Sequence, residues 1–272
     1  MATTASAVFE SGRPDLLSGT PRAHAVDRWI YVGTVATFIT ITLAGFIPDS
    51  LEKMAAVSSG ARPPFPLVMH LHAALMGSYL TLLFAQTWLA ATGRIRWHMQ
   101  LGILAAAIVP LLVIIGFMLV HTIYHETLTA AHTNVPHLHS KFAAMLARKE
   151  NILLVQIRMG VLFPLFVTIG LLARITDAGL HKRMMMLATV VVLPPAIDRI
   201  LWLPSTFPFS FATTELYMLL AIAPMFIWDT LRNSSIHKAY LIWLGFTLPF
   251  AIALYGLWDT PLWHGVAQRL LT

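Results

Sequence analysis

The chain has 272 residues, 57% of them hydrophobic and 11% charged, with a formal net charge of +6. A soluble domain carries about 25% charged residues, so this composition excludes a water-covered globule and fits a protein whose sides face lipid. The absence of cysteine excludes disulfides, iron–sulfur clusters, thiolate-ligated and c-type haem and cysteine-based zinc sites, and leaves His, Met, Asp and Glu as ligands. Twelve histidines are many for so apolar a chain. Lys and Arg sit in short segments between apolar runs, where they set membrane topology rather than bind nucleic acid.

Residues 1–27 are small and polar and lack the pattern of a signal peptide. They are expected to form a flexible tail, ordered only near 23–28, ahead of a transmembrane domain over 28–272. Helix 1 is expected over 29–47, with Trp29 and Tyr31 at an interface and Pro48 ending it. A short separate helix over 49–57 follows. The segment 66–124 organises the rest. Two apolar runs, each longer than the roughly 20 residues that cross a bilayer, flank the basic turn Gly93-Arg94-Ile95-Arg96. They predict helices over 67–91 and 97–124, the second kinked at Pro110.

Residues 125–151 read as the longest internal loop, carrying His125, His132, His137 and His139. Within it, 140–149 has the pattern of a helix lying on the membrane surface. Helix 4 is expected over 152–173, and a basic turn runs from Arg174 to Arg183. Helix 5 is expected over 184–203, through Pro194-Pro195 and Asp198-Arg199. Helices over 211–229 and 239–258 and an amphipathic tail complete the chain. The expected fold is all-α, a polytopic membrane bundle of seven transmembrane helices.

Lys and Arg favour a cytoplasmic N-terminus. The side holding Arg13, Arg22, Arg28, Arg94, Arg96, Arg174, Lys182, Arg183, Arg232 and Lys238 outnumbers the side with Lys53, Arg62, Lys141, Arg148, Lys149 and Arg269. Three stretches share a layout: WLAATGRIRWHMQLGILAA, LLARITDAGLHKRMMMLAT and WDTLRNSSIHKAYLIWLG. In each, a helix ends near an Arg, a polar turn follows, and a histidine opens the next helix. These are His98, His181 and His237, which predict repeated hairpins. Each is either a polar ring at the interface or a ligand or proton relay.

Chemistry concentrates at the opposite face. His72 precedes the basic turn by about as much sequence as separates His121 from it, so an antiparallel hairpin sets both near the outer face. His121 and His125 are spaced i, i+4, the spacing that offers a metal two imidazoles from one helix. Arg158, Asp198, Arg199 and Glu215 fall at the same depth, and ionisable groups within spans must pair or face a cavity. Two cofactor chemistries fit. In the first, a b-type haem is held by His72 with His121 or His125, with Arg158 or Arg199 on a propionate. In the second, His70, His72, His121, His125, Asp198 and Glu215 hold a transition-metal ion of iron, copper or zinc. In a purely structural reading, Asp198 and Arg199 pair with Arg158 and Glu215 as a helix lock. A metal-dependent hydrolase would use Glu215 as base. The adjacent histidine pairs of membrane desaturases are missing, and helix 7 lacks the interior lysine of a retinal protein. Met184-Met185-Met186 points three ways around a helix, which is packing rather than ligation.

At HLHAALMGSYLTLLFAQTWLAATGRIRWHMQLG and AGLHKRMMMLATVVVLPPAIDRILW the chain resembles a group of uncharacterised bacterial multi-spanning membrane proteins. The shared positions are His72, Gln86, Leu89, Gly93, Arg94, His98, Leu101, Gly102, His181, Lys182, Arg183, Met184, Pro195, Ala196 and Arg199. The region of Tyr79 departs from the group, which often has Trp there. The resemblance covers about a third of the chain and implies a bundle but no reaction. At the level of architecture the bundle is similar to the cytochrome b561 type and to small haem-handling oxidase-assembly proteins, which is analogy of fold only. The resulting expectation is a haem- or metal-binding redox protein in the lipid bilayer. The alternative is a non-catalytic assembly factor, transporter or subunit working with other membrane proteins.

Overall fold

Long apolar runs with few breakers become long helices. The computed structural model describes residues 15–18, 23–133, 139–204 and 211–272, apart from the side chains of 18, 132–133, 139–140 and 211–212. His137 and the side chains of His132 and His139 lie outside the described residues. Among those residues there are nine α-helices, one 3-10 turn and no strand. The helices are α1 (Ala25–Ser58), α2 (Leu67–Ala91), α3 (Ile95–Thr133), α4 (His139–Ala173), α5 (Ala178–Val191), α6 (Pro194–Ile197), α7 (Phe211–Asn233), α8 (Lys238–Leu257) and α9 (Pro261–Leu271).

Several boundaries differ from expectation, each for a physical reason. Helix α1 runs through Pro48. A proline removes one donor and bends a helix, but the good helix formers Leu51, Glu52, Lys53, Met54, Ala55 and Ala56 follow it. A Lys53–Asp49 pair at 2.6 Å, one turn apart, supports the same stretch. The expected short helix is therefore the last part of α1. The expected loop over 125–151 is mostly helix, because its flanks are rich in Ala, Leu and Met. It extends α3 to Thr133 and starts α4 at His139. The expected surface helix is the first part of α4.

Helix α5 begins and ends earlier than expected. The Asp177 carboxylate caps it, accepting from the Leu180 amide at 2.8 Å. Pro194 and Pro195 have no amide hydrogen, and the chain breaks into the short α6. The 14 residues of α5 span about 21 Å, short of the roughly 30 Å hydrocarbon core. The helices long and apolar enough to cross a membrane are α1, α2, α3, α4, α7 and α8, six among the described residues.

Helix α5 is the inner post of the bundle. From Arg183 to Val191 every residue is buried, and α1, α4, α7 and α8 pack around it. Met184, Met185 and Met186 all lie in this core with Phe38, Phe166, Leu187, Met218 and Met225. The Tyr79 hydroxyl meets the Thr189 hydroxyl at 2.9 Å, joining α2 to α5. Helix α1 touches α6 backbone to backbone at Gly45, where an added Cβ would sit 2.1 Å from the Ala196 carbonyl oxygen.

The ends of the chain also pack. Part of the stretch expected as a flexible tail forms a 3-10 turn, Leu16–Ser18, with Leu17 fully buried. The amphipathic C-terminal stretch is α9, N-capped by Thr260 and seated on α3 and α4 through Trp263, Ala267 and Leu271.

Candidate functional site

Short connections join α2 to α3, α4 to α5 and α7 to α8. Contacts between them gather these turns at one end of the bundle, the turn end. The C-terminal part of α3, the start of α4 and α9 form the distal end.

At the distal end His121 and His125 lie one helical turn apart with ring centres at 4.3 Å. His125 Nε2 is 2.7 Å from the Leu271 carbonyl oxygen. A carbonyl only accepts, so Nε2 carries the hydrogen and Nδ1 is left as acceptor. His121 is exposed and makes no hydrogen bond among the described residues. It lines a groove of about 580 Å³ between α3, α4 and α9, whose other walls include Phe117, Met118, Leu153, Ile157 and Leu271.

One polar cluster clamps α9 beside this groove. The Glu150 carboxylate is buried. It accepts from Gln268 Nε2 at 3.0 Å and lies 2.6 Å from His264 Nδ1. Tyr124 donates to it at 3.4 Å, and the Trp263 indole donates to the Glu150 carbonyl at 2.9 Å. His264 Nε2 lies 3.1 Å from Asp259 Oδ1, and Asn151 donates to the same oxygen at 3.2 Å. With a carboxylate at each ring nitrogen, His264 is set up to donate from both, which is the imidazolium form. Burial alone would lower its pKa, but the hydrogen bonds to Asp259 and Glu150 outweigh this and hold it above the usual histidine value. The His264 hydrogen bond holds Asp259 below the usual carboxylate range, helped by Asn151.

The other predicted site residues occupy separate places. Arg158 and Glu215 do pair, through two parallel bonds, one of them NH2 to Oε2 at 2.9 Å, and so tie α4 to α7. Arg199 does not join them. It reaches Asp49 at 3.3 Å and lies over the Phe46 ring at 4.8 Å, tying the α6 segment to α1. Asp198 Oδ1 is buried without a hydrogen-bond partner among the described residues. The expected four-residue lock is thus two separate ties, because the break at Pro194-Pro195 turns Arg199 toward α1.

His72 sits in the seam between α2 and α3. Its ring lies against Gly116, with Cε1 3.8 Å from where a Cβ would be, and its buried Nδ1 has no partner among the described residues. His70 is exposed, with its ring 6.0 Å from Phe65. The imidazole pair that the structure assembles is therefore His121 with His125, while His72 faces glycine backbone. Among the described residues no group of three or more His, Asp or Glu is placed to hold a metal ion. Gln86 lies about four turns from His72 on the same face of α2. Its side-chain nitrogen and oxygen are buried near Gly102 with no hydrogen-bond partner among the described residues.

The turn end carries the densest charge. Arg183 is wholly buried. It binds Asp229 through Nε at 2.5 Å and NH2 at 2.6 Å, and Asp15 through NH1 at 2.8 Å and NH2 at 3.0 Å. NH1 also donates to the Gly179 carbonyl at 2.9 Å. Tyr240 and Asn233 each donate to Asp229 at 2.8 Å. Buried Asp27 accepts from Trp228 at 2.8 Å and from Arg232 at 3.1 and 3.0 Å. Lys238 pairs with Asp177 at 2.7 Å. His98 and His181 both turn Nδ1 to a backbone carbonyl, whereas His237 caps α8, accepting from the Ala239 amide at 3.1 Å.

Sequence reasoning missed both charged clusters. Arg183 reads as a topology-setting residue because it lies in a basic turn. The signal available was Asp229 at the end of an apolar run, a carboxylate that needs a partner. Comparison with protein-family models, curated proteins and solved structures finds no match to this chain.

Proposed function

We propose that the chain is a multi-pass bacterial inner-membrane protein that holds a haem-type group or a transition-metal ion at His121 and serves electron transfer. One observation carries this reading: an imidazole free of hydrogen bonds among the described residues stands in the wall of an apolar groove of about 580 Å³. Phe117, Met118, Ile157 and Leu271 suit an apolar ligand, and His121 would supply a nitrogen to its metal. His125, held by Leu271, packs on His121 and fixes its ring. Arg158 and Arg199 are engaged by Glu215 and Asp49, so they hold neighbouring helices rather than propionates. When bound, the group supplies a one-electron couple. In this reading α5 with α6 makes a seventh crossing shielded by its neighbours, the hairpins repeat, and the N-terminus is cytoplasmic.

The test is an optical spectrum of detergent-purified protein before and after dithionite, with metal analysis beside it. A Soret band that shifts on reduction, or a stoichiometric metal, is expected. His121→Ala should abolish it, whereas His70→Ala should not. Unchanged cofactor content in His121→Ala overturns the assignment.

A second reading rests on the interhelical ion pairs Arg158–Glu215, Arg183–Asp229 and Asp27–Arg232. They describe a rigid scaffold, that of a non-catalytic assembly factor, transporter or complex subunit. A featureless spectrum, no metal and loss of folding in Glu215→Ala together favour it.

A further inference from the structure

Two histidines from different hairpins meet at the turn end. His98 stands in the first turn of α3 and His181 in the first turn of α5. Their ring centres are 6.2 Å apart and their planes 83° apart. Each has its Nδ1 against a backbone carbonyl of the preceding helix: His98 on Gln86 O at 3.1 Å, His181 on Gly170 O at 2.8 Å. A carbonyl can only accept, so each Nδ1 carries the hydrogen and each Nε2 keeps its lone pair. Neither Nε2 has a hydrogen-bond partner among the described residues. A backbone carbonyl on one ring nitrogen is how proteins fix the tautomer and orientation of a metal-ligating histidine.

The separation narrows the choice of ion. With metal–nitrogen bonds of about 2.0–2.1 Å, two imidazoles on one ion hold their ring centres about 5 Å apart at a tetrahedral angle and about 6.5 Å apart when collinear. The observed 6.2 Å lies near the collinear limit. The surroundings are basic: Lys182 and Arg174 lie near His181, and Lys182 is tied to the Leu17 carbonyl at 3.1 Å. That field opposes a divalent ion more than a monovalent one. Imidazole suits copper, and cuprous copper is monovalent and accepts two nearly collinear nitrogens.

We propose that His98 and His181 bind one cuprous ion through their Nε2 atoms, at the opposite end of the bundle from the His121 groove. The two sites share no residue, so failure of the His121 reading leaves this one standing. The experiment is anaerobic titration of the full chain in detergent with Cu(I) against a chromogenic chelator. One equivalent is expected to bind. His98→Ala and His181→Ala should each weaken it by about tenfold or more, while His237→Ala leaves it unchanged. Protection of His98 and His181 from diethylpyrocarbonate by Cu(I) gives a readout on the unsubstituted protein, should a variant fail to fold. No stoichiometric Cu(I), binding in either alanine variant as tight as in the unsubstituted protein, or no protection overturns the proposal.

Discussion

The two ends of this bundle are tied by chemically different knots. At the turn end a wholly buried guanidinium spans two carboxylates, Asp15 and Asp229, with Tyr240 and Asn233 completing the shell of Asp229. At the distal end an imidazole spans two carboxylates, Glu150 and Asp259. Arginine does not lose its proton in proteins, whereas histidine titrates near neutrality. One end is therefore a fixed lock and the other a titratable clamp. The Arg183 knot also joins three parts of the chain that are far apart in sequence: the N-terminal turn, α5 and α7.

The strongest way to break the comparison is Arg183→Ala. It would leave Asp229 and Asp15 buried or half-buried and facing each other with no cation between them. Removing one partner of a buried pair costs about 3–5 kcal/mol, so this variant should show the largest fall in thermal midpoint in detergent. Arg183→Lys should recover only part of it, because an ammonium cannot form the paired bonds to both carboxylates. A melting curve within a few degrees of the unsubstituted protein would show that the knot does not hold the fold.

A smaller effect is expected at the α1–α6 contact. In Gly45→Ala the new methyl would meet the Ala196 carbonyl oxygen at 2.1 Å and its carbon at 2.9 Å. The obstacle is backbone and cannot rotate away, so helix α1 must shift. Overpacking of this kind costs about 1–3 kcal/mol. Gly33→Ala on the same helix meets nothing within 4 Å and should stay within about 0.5 kcal/mol. Equal melting of the two variants would remove the close approach as a structural constraint.

Much of the fold is written in the apolar runs. Their length and the basic turn at Gly93-Arg94 mark α2, α3, α7 and α8, because a span must be long, apolar and helical whatever its neighbours. Boundaries inside mixed stretches are not marked so clearly. Residues 140–149 are amphipathic by pattern, yet no breaker separates them from the span that follows, so they continue as α4. The reverse holds at Pro194-Pro195, where the apolar run continues but the backbone donors do not. At the distal end the i, i+4 pair His121–His125 was legible because both residues are on one helix. The cluster of Glu150, Asp259 and His264 was not, since its members meet only after α9 folds back on α4. Long-range meetings of single charged residues leave no period in a sequence.

The smallest expected effect, and the one that separates the two knots, is the response of α9 to pH. His264 has a folded-state pKa held above its ordinary 6.5. Its contribution is therefore fully present below about pH 6.5 and is lost as pH rises through the raised value. Asp259 shifts the other way, below its ordinary 3.8, so its contribution is lost only in acid. Facing His264 are Glu150 from α4 and Asp259 from the α8–α9 connection. Tyr124 of α3 and Gln268 of α9 reach the same Glu150 carboxylate. Amide exchange of α9 should therefore quicken as the medium goes from neutral to alkaline, with α5 unaffected. His264→Gln should remove the dependence and leave exchange at its alkaline rate. Because Leu270 and Leu271 of α9 wall the His121 groove, ligand held there should be released over the same range. An α9 that exchanges at one rate throughout would mean that Trp263, Ala267 and Leu271 hold the helix by packing alone.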